Sequence, residues 1–156
     1  LVSSVAFERA IHPHFRDKAS FIPGLTDKLK NTKGLHLINE GDASPIYPEH
    51  IEFIFSHGHT PGQMHTLVTG NKEKLFFAGD LIPGTPWVHL PITMGYDRYA
   101  EKVIDEKQAV HNRACVENWN IFYTHDSQFA CSKIQREESG KYISVDKIEH
   151  PIHHKF

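Results

Sequence analysis

Ile51-Glu52-Phe53-Ile54-Phe55 runs directly into Ser56-His57-Gly58-His59-Thr60-Pro61-Gly62, and this junction decides how the chain is read. A run rich in Ile and Phe, closed by turn-forming residues, predicts a β-strand. The pattern recurs twice. Lys74 to Ala78 runs into Gly79-Asp80, and Asn120 to Thr124 runs into His125-Asp126. Strand ends place side chains at the rim of a sheet, where sites are commonly built. Imidazole and carboxylate are donors that zinc accepts, held from well-spaced positions on rigid elements. A carboxylate can also bridge two metal ions, a geometry suited to hydrolysis. Thr60-Pro61-Gly62 forms a turn of fixed shape that aims His59, and the small Gly79 lets backbone or metal approach closely. His59, Asp80 and His125 therefore make half of a candidate metal centre.

The remaining elements fall around these three strands. Ser4 to Ile11 offers one apolar face in Val5, Ala6, Phe7, Ala10 and Ile11, with Ser3 or Ser4 as cap and Pro13 as stop. A short helix is expected over 25–30 and a short strand over 35–38. Strands follow at 50–56, 64–69 and 74–78, the last two joined by the Gly70-Asn71-Lys72-Glu73 turn. The segment Leu81 to Asp97 is rich in Pro and Gly yet carries Trp87, Val88, Leu90, Ile92, Met94 and Tyr96. It reads as an ordered loop folded over something, such as a substrate pocket. Arg98 to Trp119 is the strongest helix, with Val103, Ile104, Ala109, Val110, Ala114 and Val116 as its apolar face. A strand at 120–124 and a hairpin pairing 132–137 with 141–145 complete the order, before a frayed tail at 150–156. The pattern is a single mixed α/β domain.

Composition narrows the partners. With 156 residues, 39% hydrophobic content and a net charge of −2, the chain gives no reason to expect nucleic acid or an anionic membrane surface. No apolar run approaches a membrane span. Leu1-Val2-Ser3-Ser4 lacks the basic-then-apolar order of a signal peptide and has no initiator Met, so a processed or truncated start is expected. Cys115 and Cys131 form no C-x-x-C pair. They are expected to be reduced and packed near the core, in keeping with a cytoplasmic location.

Gly58-His59-Thr60-Pro61-Gly62, Phe77-Ala78-Gly79-Asp80 and Thr124-His125-Asp126, in that order, resemble the later motifs of the metallo-β-lactamase superfamily. The resemblance covers nearly all of the chain. It is nearest the lactonase and organophosphate-hydrolase-like branch, because Asp80-Leu81-Ile82-Pro83 leads into His89 and then Gly95-Tyr96-Asp97. It implies the C-terminal half of an αββα sandwich, with a mixed sheet and a long helix. It also implies a pair of metal ions, zinc by default, with iron and manganese also compatible with such ligands. His59 would bind the first ion, Asp80 would bridge both, and His125 would bind the second.

The superfamily's leading His-x-His-x-Asp-His motif has no copy here. The near miss His12-Pro13-His14-Phe15-Arg16-Asp17-Lys18 has its Asp one place late and Lys18 where a His is needed. Leu81-Ile82-Pro83 also stands where the lactonases it resembles carry a Tyr. A lone half would expose an apolar sheet face, so an N-terminal half, a second chain or self-association is expected to cover it.

Trp87 and His89 in the apolar loop are candidates for substrate contact, with packing as the alternative for His89. Asp126 either orients His125 or stabilises the turn. His57 is assigned to the loop, His65 to a polar position near the site, and Asp97 to the cap of the long helix. His12, His14, His36, His50, His111, His150, His153 and His154 are assigned to the surface. The reading is a metal-dependent hydrolase acting on an ester, lactone, thioester or phosphoester in a small-molecule substrate. A catalytically incomplete fragment or a metal-poor binding module is the alternative.

Overall fold

The computed structural model describes residues 1–150; His153, His154 and most of the expected tail lie outside them. Two short strands, β1 (Val2–Ser3) and β2 (Leu37–Ile38), pair in parallel and flank helices α1 (Ser4–Ile11) and α2 (Leu25–Lys30). Ser3 is the cap of α1, its Oγ accepting from the Ala6 N–H at 3.2 Å.

The body is one six-stranded sheet. Its strands are β3 (Ile51–Ser56), β4 (Gln63–Thr69), β5 (Lys74–Phe77), β6 (Trp119–Phe122), β7 (Cys131–Arg136) and β8 (Tyr142–Ile148), adjacent in that order. All pairs are antiparallel except β5–β6, which is parallel. The parallel pair needs a crossover, supplied by the 81–97 loop and helix α3 (Ala100–Glu117). Asn118 then takes the left-handed conformation (φ 54°), and β6 starts at the next residue.

The pairing register explains the core. Leu67, Phe76 and Ile121 sit side by side on β4, β5 and β6, all buried beneath α3 with Trp119 and Ile134. The alternate row, Phe53, Thr66, Phe77 and Phe122, faces the other way. On that face Phe77 and Val68 are exposed, and the Phe77 and Phe122 rings stack at 5.8 Å.

The buried face of α3 differs from the expected one. Val103, Lys107, Val110, His111 and Ala114 point inward, whereas Ala109 and Val116 are exposed. The spacing 103, 107, 110, 111, 114 is one helical stripe, and it carries two polar residues because the 81–97 loop offers carbonyls to them. His111 is therefore buried rather than on the surface. Its Nε2 donates to the Val88 carbonyl at 2.9 Å and its ring meets Tyr142 edge-on. His65 is likewise fully buried, with Nε2 at 2.8 Å from the Ser56 hydroxyl and its ring against Phe76. Both cysteines are free, Cys131 buried and Cys115 partly so. Among the described residues no helix is long and apolar enough to cross a membrane.

Burial pushes the His65 and His111 imidazoles down from 6.5 to about 4. Each is neutral when folded and protonates on unfolding between those values, so the unfolded chain binds more protons there. Stability is accordingly full above pH 6.5 and falls as the pH drops towards 4, by on the order of 3 kcal/mol for each group. Urea denaturation from pH 7.5 to 4.5 is expected to show this fall. His111→Gln, which keeps a donor for Val88, is expected to flatten about half of it.

Candidate metal centre

β3 and β5 are both antiparallel to β4, and β5 is parallel to β6, so β3, β5 and β6 run in one direction. Their C-terminal ends therefore meet at one edge of the sheet. Just past those ends stand His59, Asp80 and His125, and the structure brings all three together. His59 Nε2 lies 3.5 Å from Asp80 Oδ2, and His125 Nε2 lies 2.9 Å from Asp80 Oδ1. Two imidazoles thus address the two oxygens of one carboxylate. His59 is largely buried, Asp80 is about one-third exposed and His125 is the most open.

Each residue is held by its own loop. The 57–59 loop is seated on the start of α3. Glu106 accepts the N–H groups of His57 and Gly58 at 2.7 and 3.0 Å, and the N–H groups of Arg98 and Tyr99 reach the Gly58 carbonyl at 2.9 Å. Gly79 takes a left-handed backbone (φ 53°) and turns the chain to Asp80, with its Cα side closed by Gln63. His125 is placed by its N–H to the Pro83 carbonyl (2.9 Å), while Thr124 Oγ1 donates to the Gly79 carbonyl at 3.0 Å. The loops after β5 and β6 are thereby laced together.

Asp97 is not the cap of α3. Its buried carboxylate accepts from His59 Nδ1 at 2.8 Å and from the Met94 N–H at 2.6 Å. That bond puts the proton of a neutral His59 ring on Nδ1 and leaves a lone pair on Nε2. Nε2 and Asp80 Oδ2 are then two electron-pair donors facing each other, an arrangement suited to a shared cation. Among the described residues no group of three or more His, Cys, Asp or Glu side chains is spaced around an ion. The triad's members touch one another instead, with His125 hydrogen-bonded to Asp80. The donor set fits a cation by chemistry, and a cation there would displace that hydrogen bond.

Above the triad opens a cavity of about 620 Å³. His59, Thr60, Asp80 and His125 form its floor, with Phe21, Met94, Tyr96, Arg16, Asp17 and Arg98 around it. Met94 is the part of the 81–97 loop that reaches it alongside Tyr96. Trp87 and His89 do not line it. Trp87 packs against the core beside Leu90, and His89 borders a separate depression next to Lys141 and Lys147. Asp126 is a turn clamp rather than a partner of His125. Its oxygens accept from the Thr85 N–H and hydroxyl and from the Gln128 and Phe129 N–H groups, all within 2.9 Å. These donors outweigh burial and hold the Asp126 carboxyl down at about 2. His57 Nδ1 accepts from the Gly62 N–H at 3.1 Å, a loop role.

The His12–Lys18 segment reaches the cavity through Arg16 and Asp17 rather than through its histidines. Burial would raise the Asp17 carboxyl, but Arg9 (2.8 Å) and Arg98 (3.4 Å) hold it below its usual range. Sequence reading missed Asp97, Glu106 and Arg98 as parts of the site. The signal for Asp97 was its place after Gly95-Tyr96, just before the helix that carries Glu106.

No protein-family model and no curated protein matches the chain. Solved structures do. AidC, a dizinc quorum-quenching lactonase, superposes with a TM-score of 0.70 at 19% identity, over 92% of this chain and 53% of its own. AbOPH, a hydrolase in the beta lactamase superfamily, gives 0.73 at 16% identity, over 99% and 55%. A probable metal-dependent hydrolase from Staphylococcus aureus gives 0.71 at 19% identity, over 92% and 49%. Identities this low define the fold, which is the C-terminal half of a metallo-β-lactamase-type αββα sandwich. The fold that the motif resemblance implied is thus the fold these solved structures share with the chain. The chain spans about half the length of the solved structures it matches.

Seating of the 57–59 loop leaves no room for a side chain at Gly58. A Cβ there would lie 2.5 Å from Val103 N and 2.6 Å from Val103 Cγ2. Gly58→Ala is expected to cost at least about 1–3 kcal/mol of stability, read from the urea midpoint.

Proposed function

We propose that the chain is the metal-binding C-terminal half of a metal-dependent hydrolase that cleaves an ester, lactone, thioester or phosphoester. The observation that carries this reading is the convergence of His59 Nε2 and His125 Nε2 on the two oxygens of Asp80, with Asp97 fixing the tautomer of His59. His59 would hold one ion, His125 the other, and Asp80 would bridge them. Zinc suits the donor set, and iron or manganese is compatible with it. A bound metal pair supplies a water-derived nucleophile at neutral pH and Lewis acidity towards the oxygen where charge develops. The protein's part is orientation. Asp97 sets the His59 ring, the Gly79 turn aims Asp80, and the Pro83 carbonyl anchors His125. Met94, Tyr96 and Phe21 would take the apolar part of a small-molecule substrate, with Arg16 and Arg98 beside it.

Three donors do not complete two coordination spheres. In this proposal the remaining ligands come from an N-terminal half, or from a second chain, that packs on the Phe53–Phe77–Phe122 face and reaches the same sheet edge. The AidC, AbOPH and Staphylococcus aureus structures, about twice as long, support such a complement. The alternative, a metal-poor binding module, draws support from the His125–Asp80 hydrogen bond, which satisfies the carboxylate without an ion.

Zinc titration followed by calorimetry tests the reading. The wild-type chain is expected to bind zinc stoichiometrically and release protons as it does so. Asp80→Asn is expected to weaken that binding by at least about tenfold. A wild-type chain that retains no zinc, or an Asp80→Asn chain that retains it unchanged, ends the hydrolase reading.

A further inference from the structure

A lysine buried to zero exposure is rare, and Lys107 is one. It stands in the middle of the inward stripe of α3, among Val103, Val110 and Ala114. Among the described residues no carboxylate forms an ion pair with its ammonium. Its Nζ donates to three backbone carbonyls instead, those of Trp87 (2.9 Å), His89 (3.2 Å) and Ile92 (2.6 Å). An ammonium has three protons, and all three are used. One turn further along α3, His111 donates to the Val88 carbonyl at 2.9 Å. Two adjacent turns of one helix thus grip four carbonyls within a six-residue stretch. The stretch belongs to no sheet, so those carbonyls have no ladder partners of their own.

Directly after this stretch the chain reaches the candidate centre. The Ile92 N–H closes a turn on the His89 carbonyl. Two residues on, the Met94 N–H donates to Asp97, whose other oxygen takes the proton of His59 Nδ1. Arg98 then donates its N–H to the Gly58 and His59 carbonyls. The path from Lys107 to His59 is a continuous run of hydrogen bonds and one short length of backbone. Lys107 and Asp97 along this path are buried, whereas Ile92 and Tyr96 are exposed.

We propose that Lys107 is a positioning residue for the candidate centre: its ammonium fixes the 87–92 backbone, and through Met94 and Asp97 this sets the tautomer and aim of His59. The proposal rests on the reading of His59 as a ligand but concerns a group with no contact to the triad. Burial lowers the Lys107 amine to about 8, and the charge of the nearby Asp97 works against that fall in favour of the ammonium. Replacing the ammonium by an apolar group would leave the Trp87 and Ile92 carbonyls without that donor and His89 with only the Ile92 N–H, so the loop would have to move to find water.

The test separates positioning from simple loss of stability. Long-range proton–nitrogen spectra of histidine-labelled protein read the His59 tautomer with no metal present. Lys107→Met is expected to shift His59 away from the Nδ1–H form and to weaken zinc binding by about tenfold or more at a temperature where the chain is folded. Val110→Ala trims the same helix face without touching the 87–92 carbonyls, and it is expected to leave both readouts at wild type while lowering the urea midpoint. If Lys107→Met fails to fold, Lys107→Gln, whose amide serves two of the three carbonyls, is read in the same way. Unchanged His59 signals in whichever variant folds, or an equal shift in Val110→Ala, overturn the proposal. A wild-type chain that takes no zinc, together with a displaced His59 tautomer in the lysine variant, would sink the hydrolase reading and leave the positioning role standing.

Discussion

Strands that run the same way must end at the same edge. Everything at the candidate centre depends on this constraint. β4 returns antiparallel between β3 and β5, and the crossover through α3 brings β6 in parallel to β5. Three separate stretches of sequence therefore release their next residues into one small volume. Imidazole and carboxylate need no long side chain to meet there, because backbone geometry has already done the converging. Short loops preserve it: two residues separate Ser56 from His59, and two separate Phe77 from Asp80 and Phe122 from His125.

Helix α3 holds that arrangement from above, and it does so with polar contacts as much as apolar ones. Val103, Val110 and Ala114 pack on Leu67, Phe76 and Ile121 in the ordinary way. Around them, Glu106 takes the N–H groups of the His59 loop, while Lys107 and His111 take the carbonyls of the 81–97 loop. Glu106 is an acceptor facing donors, and Lys107 and His111 are donors facing acceptors. A loop cannot be buried unless its backbone groups are answered, and a helix surface is where these two loops find the answers. The same helix that completes the hydrophobic core is thus the frame to which both site loops are fastened.

Much of this was legible from residues alone, and the reason lies in period and punctuation. The strands at 51–56, 63–69 and 74–77 are short Ile-, Phe- and Val-bearing runs cut by Gly, Pro and Asn, and the hairpin at 138–140 is equally marked. The triad followed because each member is tied to a strand end. What was not legible is what depends on partners without a sequence signature. Lys107 and His111 read as polar residues on a helix, and only the carbonyls of 87–92 turn them inward. Ala109 and Val116 read as core and are exposed because the polar pair occupies the stripe. Trp87 read as a substrate contact because the loop is apolar. Composition states that a loop is packed but not on which side, and this one packs Trp87 downward onto the core and sends Met94 to the cavity.

The open sheet face and the one-sided triad share a physical cause. A sheet covered by a helix on one face leaves its other face to whatever comes next, and here that face carries Phe53, Phe77 and Phe122. A triad at a strand edge has donors on one side only, and here that side is the exposed His125 and the half-open Asp80. In the proposed sandwich, a second layer over the apolar face would bring its own strand ends towards the same rim. Hydrophobic burial would then supply the free energy of association, and the rim would supply the position from which further donors could reach an ion. In the proposed hydrolase, assembly of the sandwich and completion of the metal site would be one event. The pre-set tautomer of His59, held by Asp97 before any ion arrives, is the part of that site this chain builds by itself.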